Sequence, residues 1–196
     1  MKNVIFSVIC LLLATTFIAV IPTDAESAVY EDTVRLHILA NSDSEEDQSL
    51  KLAVRDAVLT EFSEVLSDGK NADDARARLS LLLPEIEDFC QRKIAELGYS
   101  YGVRVTLSEE WYDTREYESF TLPRGVYTSL RIIIGEGDGK NWWCVMYPPL
   151  CLDLACESAP KDDAVNGYSD EEVGLISNRG YNVKFKLLEV ISGAFS

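Results

Sequence analysis

The sequence predicts an α+β domain: an N-terminal strand, then two or three helices packed on one face of a mostly antiparallel sheet. Three observations carry this reading. The apolar period is two at residues 34–40, three to four between residues 50 and 97, and two again beyond residue 101. Capping and breaking residues fall where the period changes. The order strand, helix, helix, strands keeps the helices together in the chain, which suits helices on one side of a sheet. With 196 residues, 47% of them hydrophobic and 26% charged, there is enough apolar material for one core and too little charge for a disordered chain.

At the N-terminus, Lys2 precedes an apolar run over residues 4–21, and small residues at Thr23 and Ala25 complete the pattern of an export signal. The expected cut follows Ala25, giving a signal peptide over 1–25 and a single exported domain over 26–196. A cut after Ala28 would put the charged Glu26 three residues before it, a poor fit to a signal peptidase pocket. The alternative is an uncleaved anchor, which Ser7, Thr15 and Thr16 weaken. Cys10 lies inside the apolar run and does not suit a lipoprotein signal.

Val34, Leu36 and Ile38 alternate with Arg35 and His37, which predicts a strand ended by Asn41, Ser42 and Asp43. Ser44 and Asp47 resemble a helix cap. Leu50, Val54, Val58, Phe62 and Leu66 then define an amphipathic helix ending near Asp68 and Gly69. A second stripe, with Leu79, Ile86, Phe89 and Ile94, runs to Gly98, and Pro84 should kink or divide it. Residues 101–107, 126–134 and 142–147 read as adjacent antiparallel strands, the last two joined by a glycine-rich loop that opens no helix and so offers no phosphate cradle. Residues 153–182 read as an acidic loop excursion, with seven acids and one lysine between 153 and 172. Residues 183–191 form a last strand or a short helix.

The net charge of -15 repels nucleic acid and anionic lipid, and no basic cluster offsets it. No cofactor or small-molecule substrate motif is present. His37 is the only histidine, and a serine nucleophile could be drawn with Ser42 or Ser129, but no nucleophile-elbow sequence accompanies it. The cysteine spacings do not suit zinc. Outside the reducing cytosol, Cys90, Cys144, Cys151 and Cys156 allow three full pairings. The Pro148 and Pro149 bend favours Cys144 with Cys151, and Cys90 suits a buried helical position.

Aromatic residues are unevenly supplied. Trp111, Tyr112, Tyr117 and Phe120 cluster around Arg115, and Trp142 adjoins Trp143. Neighbours on a strand face opposite sides, so one of those two indoles should lie away from the helices. Exposed tryptophan beside tyrosine and arginine is the composition of an interaction hot spot. Arg35, His37, Asn41 and Asp43 form a second candidate patch.

The segments RLHILANSDSEEDQ (35–48) and LKLAVRDAV (50–58), with LPRGVYTSLRIIIG (122–135) and GKNWWCVMYPPLC (139–151), closely resemble the stage II sporulation protein R family of endospore-forming bacteria. The resemblance implies a signalling protein made in the forespore and exported into the space between the two septal membranes. There it would trigger a membrane-embedded aspartic protease of the mother cell, which cuts the pro-segment from the early mother-cell sigma factor. It implies no catalysis by this chain, and contact with membrane only through an uncleaved signal segment or the receptor. A cell-wall hydrolase and a structural protein of the septal space are the alternatives.

Overall fold

A computed structural model describes residues 2–18, 22–62, 70–117, 120–148 and 167–177. Helices α1 (Lys2–Ile18) and α2 (Asp24–Glu31) precede β1 (Val34–Leu39), α3 (Glu45–Glu61) and α4 (Ala72–Glu96). Then come β2 (Val103–Tyr112), β3 (Arg115–Glu116), β4 (Thr121–Leu122), β5 (Gly125–Ile134), β6 (Asn141–Tyr147) and α5 (Asp170–Ile176). The fold is α+β, with a four-stranded sheet in the order β2-β5-β1-β6 and a small β3-β4 hairpin. Helices α3 and α4 cover one sheet face, where Leu36, Ile38, Leu130 and Ile132 meet Val54, Val58 and Ile86.

The expectation that the strands at 126–134 and 142–147 are neighbours is corrected. β1 lies between them, parallel to β5 and antiparallel to β6. The reason is burial: all six residues of β1 are buried, Arg35 and His37 included, so this strand needs a partner on each edge and cover on each face. β2 also runs further than expected, through Glu109 and Glu110 to Tyr112, because β5 offers a matching rung at every position to Gly125. The acids Glu109 and Glu110 are therefore strand residues.

Ser44 caps α3 as expected, its hydroxyl accepting from the Asp47 amide at 3.2 Å. That helix ends at Glu61, and the expected end at Asp68 and Gly69 lies outside the described residues. α4 is one helix through Pro84. Pro84 and Ser80 both face solvent, so the carbonyl that loses its partner reaches water, while Leu79, Ile86, Cys90 and Ile94 hold both halves to the core. Gly98, at φ 87°, ends the helix, and Tyr99 closes it by donating to Ile94 O at 3.1 Å. Cys90 is a free, buried thiol that burial pushes up to about 12. Cys144 is buried on β6; its expected partner Cys151 lies outside the described residues.

The acidic excursion expected at 153–182 contains a helix. Asp170, Glu171 and Glu172 of α5 occupy its first turn, where carboxylates complement free amides, and Ser169 with Glu172 forms a capping box. Tyr168 and Ile176 join the core, and the Tyr168 hydroxyl lies 2.7 Å from Thr33 Oγ1. Residues 153–166 and 183–191 lie outside the described residues.

Among the described residues no helix is long and apolar enough to cross a membrane. α1 exposes Val4, Phe6, Leu11 and Leu13. α2 begins with a capping box between Thr23 and Glu26, so the expected cut after Ala25 falls within its first turn. Behind α2, the Tyr30 ring lies where a side chain at Gly125 would stand: an added Cβ would meet Tyr30 Cζ at 2.5 Å. Because the Tyr30 hydroxyl is also fixed by donating to Arg124 O at 2.8 Å, the ring cannot yield cheaply. Gly125→Val should cost about 2 kcal/mol in equilibrium urea unfolding; an unchanged midpoint would show that the ring moves freely.

Candidate functional site

The alternation of β1 sends Arg35 and His37 to the sheet face opposite the helices. Tyr127, Ser129 and Arg131 of β5, Glu110 and Tyr112 of β2, and Trp143 of β6 share that face by register. Tyr117 and Phe120 of the β3-β4 hairpin stack on each other, with centroids 4.4 Å apart. Arg35 is fully buried, its guanidinium carbon 3.9 Å from the Tyr112 ring centroid and 5.0 Å from that of Tyr127. Its Nη2 donates to the Tyr117 hydroxyl at 2.9 Å, which ties the hairpin to the centre of the sheet. Nε and Nη1 have no hydrogen-bond partner, and among the described residues Arg35 forms no ion pair. Two π faces and one phenol oxygen take the place of a counter-ion.

Next along β1, the His37 imidazole stacks on Trp143 at 3.7 Å and 22°. Its Nδ1 lies 3.1 Å from Glu110 Oε2, while Nε2 is buried without a partner. Glu110 gathers the cluster: Oε2 accepts from the Tyr112 hydroxyl at 3.0 Å and Oε1 lies 3.4 Å from Arg131 Nη1. The exposed Arg115 guanidinium sits 5.6 Å from the Trp143 ring. The face thus carries Arg35, Arg131 and Arg115, of which Arg131 alone pairs with the Glu110 carboxylate, in a chain of net charge -15.

Burial pushes the His37 imidazole below its ordinary value of 6.5, against the opposing hydrogen bond and charge of Glu110. Since the unfolded chain binds that proton more readily, His37 costs stability as pH falls from about 6.5 to its lowered folded value, and no further below that. Wild-type protein should lose more stability between pH 7.5 and 5.5 than a His37→Asn variant, measured by urea unfolding. Equal losses would assign the acid sensitivity elsewhere.

The expected site residues divide among three places. Trp143, Tyr112, Arg115, Arg35 and His37 come together on this face, but Tyr112, Arg35 and His37 are buried and support the surface instead of forming it. Trp142 lies on the helix face, beneath the Arg55 guanidinium at 4.2 Å. The two indoles do face opposite ways, yet both are half-buried, and the exposed tryptophan is Trp111 at 64%. Asn41 and Asp43 clamp the β5-β6 loop: Asn41 Oδ1 accepts from the Glu136 amide at 3.1 Å and Asp43 Oδ1 from the Lys140 amide at 2.6 Å. Asn41 and Ser42 also donate to Asp47, holding its carboxyl below the usual range.

Ser129 Oγ bonds the Tyr112 hydroxyl at 2.7 Å and Ser42 Oγ bonds Asp47 at 2.6 Å, so neither serine is joined to His37. Among the described residues no group of three or more His, Cys, Asp or Glu side chains could hold a metal ion. Glu110, Tyr127 and Arg131 were not singled out from the sequence, and Ser129 was considered only as a nucleophile. The period-two order of residues 126–132 places Tyr127, Ser129 and Arg131 on one face; Glu110 was hidden within a run of charge.

The family model for stage II sporulation protein R matches residues 30–156. The chain belongs to the stage II sporulation protein R family. It is 33% identical over 185 residues to stage II sporulation protein R of Bacillus subtilis (strain 168), an alignment covering 85% of this chain and 83% of that protein. No solved structure matches. Membership gives this stage II sporulation protein R relative a role in sporulation, and the matched span takes in all of the cationic aromatic face.

Proposed function

We propose that this chain is an exported messenger that activates a membrane-embedded aspartic protease of the mother cell by binding it, leading to processing of the pro-sigma factor. It would act in the space between forespore and mother cell, delivered there by residues 1–25, and would break no bonds itself. The observation that carries this reading is Arg35. A fully buried guanidinium holds the hairpin through Tyr117, and with it Arg115 stands beside Trp143 as a pre-shaped cationic and aromatic surface. Such a surface loses little freedom on docking.

Activation from outside a membrane requires the messenger to prefer the active arrangement of its receptor, which shifts the population toward it. A disulfide between Cys144 and Cys151, included in this proposal, would pin the chain that leaves β6 behind Trp143. The test is co-expression of the chain with the candidate protease and its pro-protein substrate in a non-sporulating host. Cleavage only when the chain is present and carries its export signal is expected. Cleavage independent of the chain, or release of soluble fragments from peptidoglycan by the purified chain, would overturn the reading.

A further inference from the structure

β2 is an edge strand, and its outer edge is closed along only half its length. Gln91 of α4 donates to Tyr101 O and accepts from the Val103 amide, and Glu87 accepts from the Val105 amide at 2.9 Å. These bonds show that the odd-numbered residues point their backbone groups away from β5. Gly135 donating to Gly102 O confirms that the even-numbered ones point inward. Leu107, Glu109 and Trp111 continue the outward series without a register shift, and among the described residues nothing pairs with their outward amides and carbonyls. At the strand rise this is an open ledge of about 14 Å.

The same stretch exposes apolar surface. Trp111 is 64% exposed, and its cross-strand partner Val126 is 46% exposed on the same face. Soluble proteins ordinarily blunt such an edge, as Gln91 and Glu87 do one step away. Glu109, one pleat from Trp111, and Asp113 beyond it are exposed and form no ion pair among the described residues.

We infer that Leu107, Glu109 and Trp111 receive an extended segment of a partner protein as an added strand. The segment would carry Lys or Arg opposite Glu109 and an apolar side chain two positions away, over Trp111 and Val126. A second copy of this chain fits poorly: antiparallel self-pairing centred on this ledge sets Glu109 against Glu109, between bodies of charge -15 each. The inference rests on the proposed receptor, and it gives that receptor a second point of contact besides the Trp143 face.

The test uses the full exported chain and the detergent-solubilised candidate protease, with binding measured by titration and amide hydrogen exchange read on the complex. Proline at an outward position removes an edge donor and spares the ladder to β5. Glu109→Pro and the separate surface change Trp111→Ala should each weaken binding at least about tenfold, while Glu109→Gln, which keeps the amide, loses less. The amides of Leu107, Glu109 and Trp111 should gain protection in the wild-type complex. Binding of wild type with no change in either variant and no added protection would overturn the ledge and leave the proposed function standing. No binding by wild type would overturn both. A wild-type dimer that Glu109→Pro dissociates would overturn the receptor segment in favour of a second copy.

Discussion

An Arg35→Met protein will unfold near the wild-type urea concentration yet open the β3-β4 hairpin to trypsin at Arg115. The balance decides this. Taking a guanidinium fully out of water costs several kcal/mol. Against it stand two cation–π contacts, each about 2 kcal/mol when desolvated, and one charge-assisted bond to Tyr117 of about 2 kcal/mol. The opposing contributions nearly cancel, and methionine keeps much of the volume between the rings, so the net change should stay within about 1 kcal/mol. What methionine cannot keep is the Nη2 donor that anchors Tyr117. Arg35→Ala, by contrast, leaves a void beneath three rings and should cost about 3 kcal/mol. A methionine variant destabilised as much as the alanine one, or a hairpin still protected in it, would show that Arg35 has another task.

Trp143→Ala should reduce receptor activation at least about tenfold while the protein stays folded, whereas Trp142→Ala should act through stability. Trp143 lies beside Arg115 on the face away from the helices, and its loss uncovers His37. Trp142 sits under Arg55 on the helix face, with a buried Nε1 that has no partner. Removing it should loosen α3 from β6 and cost about 2 kcal/mol, with activation falling only as the folded fraction falls. Cleavage scored beside circular dichroism melts separates the two; loss of folding in Trp143→Ala would move that indole to the core.

Local chemistry wrote most of the architecture openly. Ser44 with Asp47, Asn41 ending β1 and Gly98 ending α4 act through neighbours in sequence, and each is found where those neighbours put it. The misplaced features depend on distant partners. Nothing near β6 says that β1, a hundred residues earlier, would insert beside it; only the burial of both β1 faces explains the choice. α5 was hidden because acids that look like a solvated loop are also what a helix start prefers once Tyr168 and Ile176 have a core to enter. At the candidate site the aromatic supply was visible in composition, and the separation of Trp142 from Trp143 followed from strand geometry. That Arg35 would be an interior strut depended on where the hairpin folds, and that Trp111 would be the exposed ring depended on how far the helices cover the other face.

The messenger proposal requires the Arg115 and Trp143 face to touch the receptor. A photo-crosslinking residue placed at Arg115, in cells making the candidate protease, reads that contact directly. The control position is Leu81 on α4, 83% exposed and on the helical side. A crosslink to the protease is expected from position 115 and none from position 81; crosslinks from 81 alone, or from neither while cleavage proceeds, would rule that contact out.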